Sequence, residues 1–236
     1  RLGMDTISAG NLVALAMEAG ERGLNPGFPA YGDAAGAGKL LEDMACRTGG
    51  GAVFSDGIAR AAKALGLEDI AIHVKGLEPP GYDPRVLKGM GLGYATSMRG
   101  ACHLRATFYK PELAGIISPS AIDGKAALYI EYEDRLTIFN TLIMCVFFRD
   151  MLQWNELRTL LKALTGLDYS VEELRRSANE IITMTQQFNR REGLGKETDT
   201  LPARFFKQFL PETRASLTKA EFAHMLQEYY TLRGWE

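Results

Sequence analysis

Cysteine, histidine and tryptophan are all scarce: the 236 residues include three, three and two of them. The cysteines, Cys46, Cys102 and Cys145, are odd in number, far apart and form no Cys-x-x-Cys pair. That pattern argues against a disulfide framework and for a reducing cytoplasm, and one cysteine cannot hold a metal cluster by itself. Positive charge is not in excess either. A formal net charge of −2 at pH 7 offers no basic face for nucleic acid. Long apolar runs are missing: the longest, Leu136–Phe148, is interrupted by Thr137, Asn140 and Thr141, which suits a buried helix rather than a membrane span. The opening Arg1-Leu-Gly-Met-Asp5 has no apolar leader segment, and its lack of an initiator Met suggests a piece of a longer protein. Internal repeats and low-complexity tracts are not found.

What is present is helical periodicity. Hydrophobic content of 46% and charged content of 24% allow one large domain or two small ones with a proper core. A first helix is expected from an N-cap at Thr6 or Ser8, with Leu12, Leu15, Ala16 and Ala19 at helical spacing. A second is expected over Asp33–Arg47 and a third over Asp56–Leu65, capped by Ser55 and closed by Gly66. Ile70–Val74 is short and β-branched, but no partner strands follow at regular spacing. Pro79-Pro80-Gly81 is the best boundary, dividing the chain into helical subdomains 1–78 and 79–236. Asp83-Pro84 then predicts a helix to Ser97, and Tyr109–Ser120, with Pro111 and Pro119, reads as mostly loop. Asp123–Thr165 is predicted helical with a break near Asp150. Ser170-x-x-Glu173 and Thr218-x-x-Glu221 are capping boxes, the second ahead of a helix stopped by Gly234. The fold class is all-α.

Candidate chemistry lies in three places. Lys88–Ala106, KGMGLGYATSMRGACHLRA, carries Gly89, Gly91, Gly93 and Gly100, which let a backbone approach either a ligand or another chain segment. It ends on His103 flanked by Arg99 and Arg105. A lone His is often a satisfied hydrogen-bonding residue, but two neighbouring cations would depress its pKa and suit it to proton chemistry in the neutral form. The second place is Asp5, a carboxylate after Gly3 that reads equally as a helix cap. The third is Asn140-Thr-Leu-Ile-Met-Cys145, where a single Cys on an apolar helix is most often a small core residue.

The run YDPRVLKGMGLGYATSMRGACHLRA, the opening RLGMDTIS and the tail LPARFFK…EYYTLRGWE together resemble the C-terminal half of the tungsten-dependent aldehyde:ferredoxin oxidoreductases, over essentially the whole chain. The resemblance implies a tungsten (or molybdenum) ion held by two pterins, with a 4Fe–4S cluster beside one of them. It implies two copies of an Asp-x-x-Gly-Leu-(Asp or Cys) pterin motif. The first ends on Gly3-Met4-Asp5, its leading residue lying before Arg1. The second is Asn140–Cys145, with Met144 before Cys145 and Cys145 at the position of the fourth cluster ligand. Asn140 replaces the carboxylate there and Ile143 replaces the glycine, which puts the tight turn in doubt.

His103 matches a histidine near the metal, and Arg105 a basic residue that contacts a pterin or its phosphate. The implied partners are ferredoxin, an aldehyde substrate and a missing N-terminal domain of the same protein, without nucleic acid or membrane; a homodimer is left open. The chain by itself is expected to be inactive. Two other readings stand beside this one: a related tungsten subunit acting on another substrate such as an aromatic thioester, and a non-catalytic structural homologue.

Overall fold

A computed structural model of the chain describes residues 1–235. Its helices are α1 (Thr6–Glu21), α2 (Ala34–Cys46), α3 (Ile58–Leu65), α4 (Lys88–Thr96), α5 (Tyr109–Leu113), α6 (Lys125–Thr141), α7 (Trp154–Thr165), α8 (Val171–Arg191), α9 (Ala203–Lys207) and α10 (Lys219–Arg233). The all-α expectation holds. Among the described residues the one trace of β structure is an isolated bridge between Val74 and Leu77.

The helix ends follow local chemistry. Both capping boxes form, with Ser170 Oγ and Thr218 Oγ1 accepting from the backbone N–H of Glu173 and Glu221. Gly234 stops α10 in the left-handed conformation that an L-residue disfavours. Three expectations shift. Asp5, not Thr6 or Ser8, caps α1, its carboxylate accepting from Ser8 N–H at 2.8 Å. Gly57 precedes α3, because Ser55 Oγ donates instead to the Met44 carbonyl at 2.8 Å. Pro84 begins a turn closed by Val86 and Leu87 N–H on the Asp83 carbonyl, and α4 starts only at Lys88.

Helices α1–α3 share a core of Leu12, Leu15, Leu40, Met44, Phe54, Ile58 and Ala61. Farther along, α6 packs against α4, α8 and α10 around Tyr94, Phe108, Tyr129, Met225 and Tyr229. Every residue of α4 is buried. A helix with three glycines has poor intrinsic propensity, each costing roughly 1 kcal/mol against Ala, so tertiary packing holds it. The glycines serve that packing: a Cβ on Gly89 would stand 2.3 Å from Phe108 Cε1, and one on Gly93 2.8 Å from Tyr129 Cε2. Between the open readings of this stretch, Gly89 and Gly93 therefore admit another chain segment rather than a ligand.

Two buried ion networks tie these helices. Lys125 Nζ donates to Glu112 Oε1 at 2.6 Å with both side chains fully buried, and Glu112 Oε1 also accepts from Gly89 N–H at 2.8 Å. Arg233 of α10 donates to Glu133 Oε2 at 2.6 Å and Asp134 Oδ1 at 2.7 Å, both on α6. Two carboxylates thus share one guanidinium in a desolvated place, and the Asp134 carboxyl is pushed up to about 6, by burial first, with Glu133 and Glu131 adding to it.

Candidate functional site

The end of α6 is built as a left-handed helix stop. Met144 N–H donates to the Phe139 carbonyl at 2.9 Å and Ile143 N–H to the Asn140 carbonyl at 3.1 Å. That pair of bonds defines the Schellman geometry, with Ile143 at the position that favours glycine. Ile143 accordingly has φ +56°, while Met144 packs against the cluster containing Leu136, Ile138 and Phe139. The tight turn doubted from the sequence is therefore formed without its glycine.

The opening of the chain repeats the conformation. Gly3 has φ +76°, and Met4 packs against the first core. Asp5 then sits at φ −61°, ψ 131°, and Cys145 at φ −67°, ψ 125°. Gly3-Met4-Asp5 and Ile143-Met144-Cys145 are thus two copies of one local shape: a left-handed residue, an inward methionine and an outward functional residue. Asp5 and Cys145 are both exposed.

Cavities divide the remaining candidates. Met4 and Asp5 line one of about 320 Å³ together with Ser8, Met44 and Arg47. Arg105 and Asn140 line another of about 280 Å³ between α6 and α8, together with Met98, Glu133, Thr137 and Ile181. Neither is lined by His103 or Cys145, so within this chain the candidates do not converge on those two spaces.

His103 sits in an aromatic corner instead, 6.1 Å from the Tyr82 ring and 6.4 Å from that of Tyr109, which stack on each other at 4.2 Å. It makes no hydrogen bond among the described residues. Its pKa is lowered, first by burial and then by Arg99. The direction matches the sequence reading, but desolvation contributes more than charge, and only one of the two flanking arginines contributes. The neutral imidazole is the resting form near neutral pH.

No group of three or more His, Cys, Asp or Glu side chains able to hold a metal is found among the described residues. Cys145 presents its thiol alone, and Cys102 is buried with Sγ accepting from Leu104 N–H. Among the described residues, the half-buried Arg105 makes neither hydrogen bond nor ion pair, and the Asn140 side-chain amide makes no hydrogen bond.

The sequence reading passed over Glu133. Glu133, Thr137, Asn140 and Thr141 are spaced i, i+4, i+7 and i+8 on α6, which places them on one helical face. That polar stripe along α6 was the signal available for it.

No helix among the described residues is long and apolar enough to cross a membrane. Compared with known proteins, residues 1–236 match the family model for aldehyde ferredoxin oxidoreductase, domains 2 and 3. The tungsten-containing aldehyde ferredoxin oxidoreductase of Pyrococcus furiosus is 34% identical across 99% of this chain, and that of Thermococcus kodakarensis is 34% identical across the same share. The chain spans 41% and 40% of their respective lengths. With a family match from end to end and the two matching turns in place, the chain belongs to the aldehyde ferredoxin oxidoreductase family, in the region of its second and third domains.

Proposed function

We propose that this chain supplies one wall of a tungsten- or molybdenum-pterin site that oxidises aldehydes to carboxylic acids. The observation that supports it most is the repeated turn, which carries Asp5 and Cys145 outward on equivalent backbones. The donor set suits the group. Asp5 and Asn140 can accept from pterin N–H edges, and the unpaired Arg105 guanidinium suits a phosphate. A single exposed thiol suits one corner of a 4Fe–4S cluster whose other ligands come from outside these residues.

The pterin-bound metal, when present, supplies Lewis-acid and electron-accepting chemistry. The proposed reaction would take an aldehyde and water to a carboxylic acid, two protons and two electrons, for which the metal and cluster would supply the electron-accepting capacity and ferredoxin the external acceptor. The chain's own part in it is to bind and to handle protons. His103 is neutral and carries an unbonded ring nitrogen free to accept one of the released protons. The stacked Tyr82 and Tyr109 rings lie beside the imidazole, and burial together with Arg99 favours its neutral form. Cys145 offers the cluster-side contact from the end of α6.

Metal analysis of the full-length protein that contains this chain, purified anaerobically, tests the reading. Tungsten or molybdenum should be present with about four irons per full-length chain, and Cys145→Ala in that protein should lower the iron content and bleach the cluster absorbance. Iron unchanged in Cys145→Ala would remove the thiol from the ligand set. Absence of both metals would overturn the proposal.

A further inference from the structure

Between Val74 and Leu77 the chain turns back in two residues, and both are left-handed. Val74 N–H donates to the Leu77 carbonyl and Leu77 N–H to the Val74 carbonyl, each at 3.0 Å, while Lys75 has φ +51° and Gly76 φ +82°. Such a turn favours Asn, Asp or Gly at its first central position, so a lysine there is under strain. That conformation sends the lysine side chain inward, where it is 5% exposed. Its Nζ donates to the Ala95 carbonyl at 2.6 Å, the Ser97 carbonyl at 3.0 Å and Asp199 Oδ1 at 2.6 Å, which uses all three ammonium protons. Two of these acceptors lie at the C-terminal end of α4, where carbonyls lack intrahelical donors and a cation is favoured. Asp199 is itself fixed, its Oδ2 accepting from Tyr230 Oη at 2.5 Å.

The loop that follows α4 is held at three further points. Asn189 Nδ2 donates to the Met98 carbonyl at 2.6 Å. Gly100, at φ +102°, lies so close to the two-residue turn that a Cβ would stand 2.4 Å from the Val74 carbonyl oxygen and 2.8 Å from Leu77 Cβ. Thr107 has φ +48°, an outlier for a β-branched residue. Strained backbone of this kind collects where a structure holds a geometry the chain would not choose. His103 sits inside the loop, and its imidazole makes no hydrogen bond among the described residues, so the backbone decides where the ring stands. We infer that Lys75 is the positioning residue of this loop: its ammonium joins the end of α4 to Asp199, seats Gly100 against the Val74–Leu77 turn, and so sets His103 beside Tyr82 and Tyr109. Its functional meaning rests on the reading of His103 as a proton acceptor; the positioning rests on backbone geometry alone.

Deuterium-exchange mass spectrometry of the full-length protein that contains this chain is the test. It reads amide uptake peptide by peptide and, against pH, the slow exchange at the His103 ring carbon that reports its titration. Lys75→Met nearly keeps the side-chain length and removes the charge. It should raise amide exchange over residues 97–105 at least about tenfold, since losing a charged hydrogen bond permits local opening of that size. It should also move the His103 titration upward as the ring loses its burial. Leu40→Ala, in the first core, is the control: it should lower thermal stability and leave both readouts unchanged. Asp199→Asn removes only the counter-charge and should move both in the same direction by less, which keeps the test decisive if Lys75→Met does not fold. Unchanged readouts in the Lys75 and Asp199 variants, or equal changes in Leu40→Ala, would overturn the inference. Faster loop exchange with an unmoved His103 titration would overturn it too, because the lysine would then hold the loop without placing the ring. Normal turnover in His103→Ala would sink the proton reading and leave the positioning intact.

Discussion

Replacing Ile143 with glycine should make the protein more stable. Ile143 holds φ +56° at the residue that closes the helix stop after α6. For an L-residue the left-handed region costs roughly 1–2 kcal/mol, and a β-branched side chain sits at the upper end of that range. Glycine removes the cost but raises the entropy of the unfolded chain by roughly 0.5–1 kcal/mol. Nothing offsets the gain through lost burial, because the isoleucine is 93% exposed. The net expectation is a stabilisation of about 0.5–1 kcal/mol. In thermal unfolding that is about 1–4 °C for a domain of this size, and in urea it is a midpoint shift at unchanged slope. Ile143→Ala is the control: it deletes the same exposed surface but keeps the left-handed strain, so it should recover at most about half of the gain. If Ile143→Gly proved neutral or destabilising, or if alanine matched glycine, the turn would not be strained and the likeness to Gly3 would have no energetic content.

Two further tests address the ion networks. Glu112→Gln leaves the Lys125 ammonium, fully buried, without its carboxylate, and should destabilise by about 3–5 kcal/mol, read from urea unfolding at neutral pH; a loss below about 1 kcal/mol would show that the lysine gives up its proton or reaches water. Asp134→Asn tests the crowding of two carboxylates on Arg233. With the folded pKa raised from 3.8 to about 6, proton uptake favours the folded state, so the unaltered protein should lose stability relative to the variant as pH rises from about 4 to 6. The difference should level off above that range, after a change of roughly 2–3 kcal/mol; parallel pH–stability curves would refute the shift.

Much of the secondary structure was legible because its determinants are local. Ser170 with Glu173, Thr218 with Glu221, and Gly66 and Gly234 act within one helical turn of themselves, and each appears where the sequence put it. Where reading failed, a distant group competed. Ser55 was drawn to the Met44 carbonyl. The site divides the same way. Asp5, Asn140 and Cys145 carry their motif along the chain, and His103 and Arg105 are adjacent to its glycine-rich run. That Ile143 takes a glycine's conformation is not written in its side chain; the Schellman bonds and the partly buried Met144 impose it.

The sequence by itself therefore determined the helices, the family and the residue types offered for chemistry, because caps, periodicity and motifs are short-range properties of the chain. Only the tertiary structure decided that Glu133 meets Arg105 and Asn140 in one cavity and that Gly89 and Gly93 receive aromatic rings. It alone placed His103 among tyrosines, where burial outweighs its arginine neighbour. Those outcomes depend on which helices pack together, and burial, shared counter-charges and close approach have no address in sequence until they do.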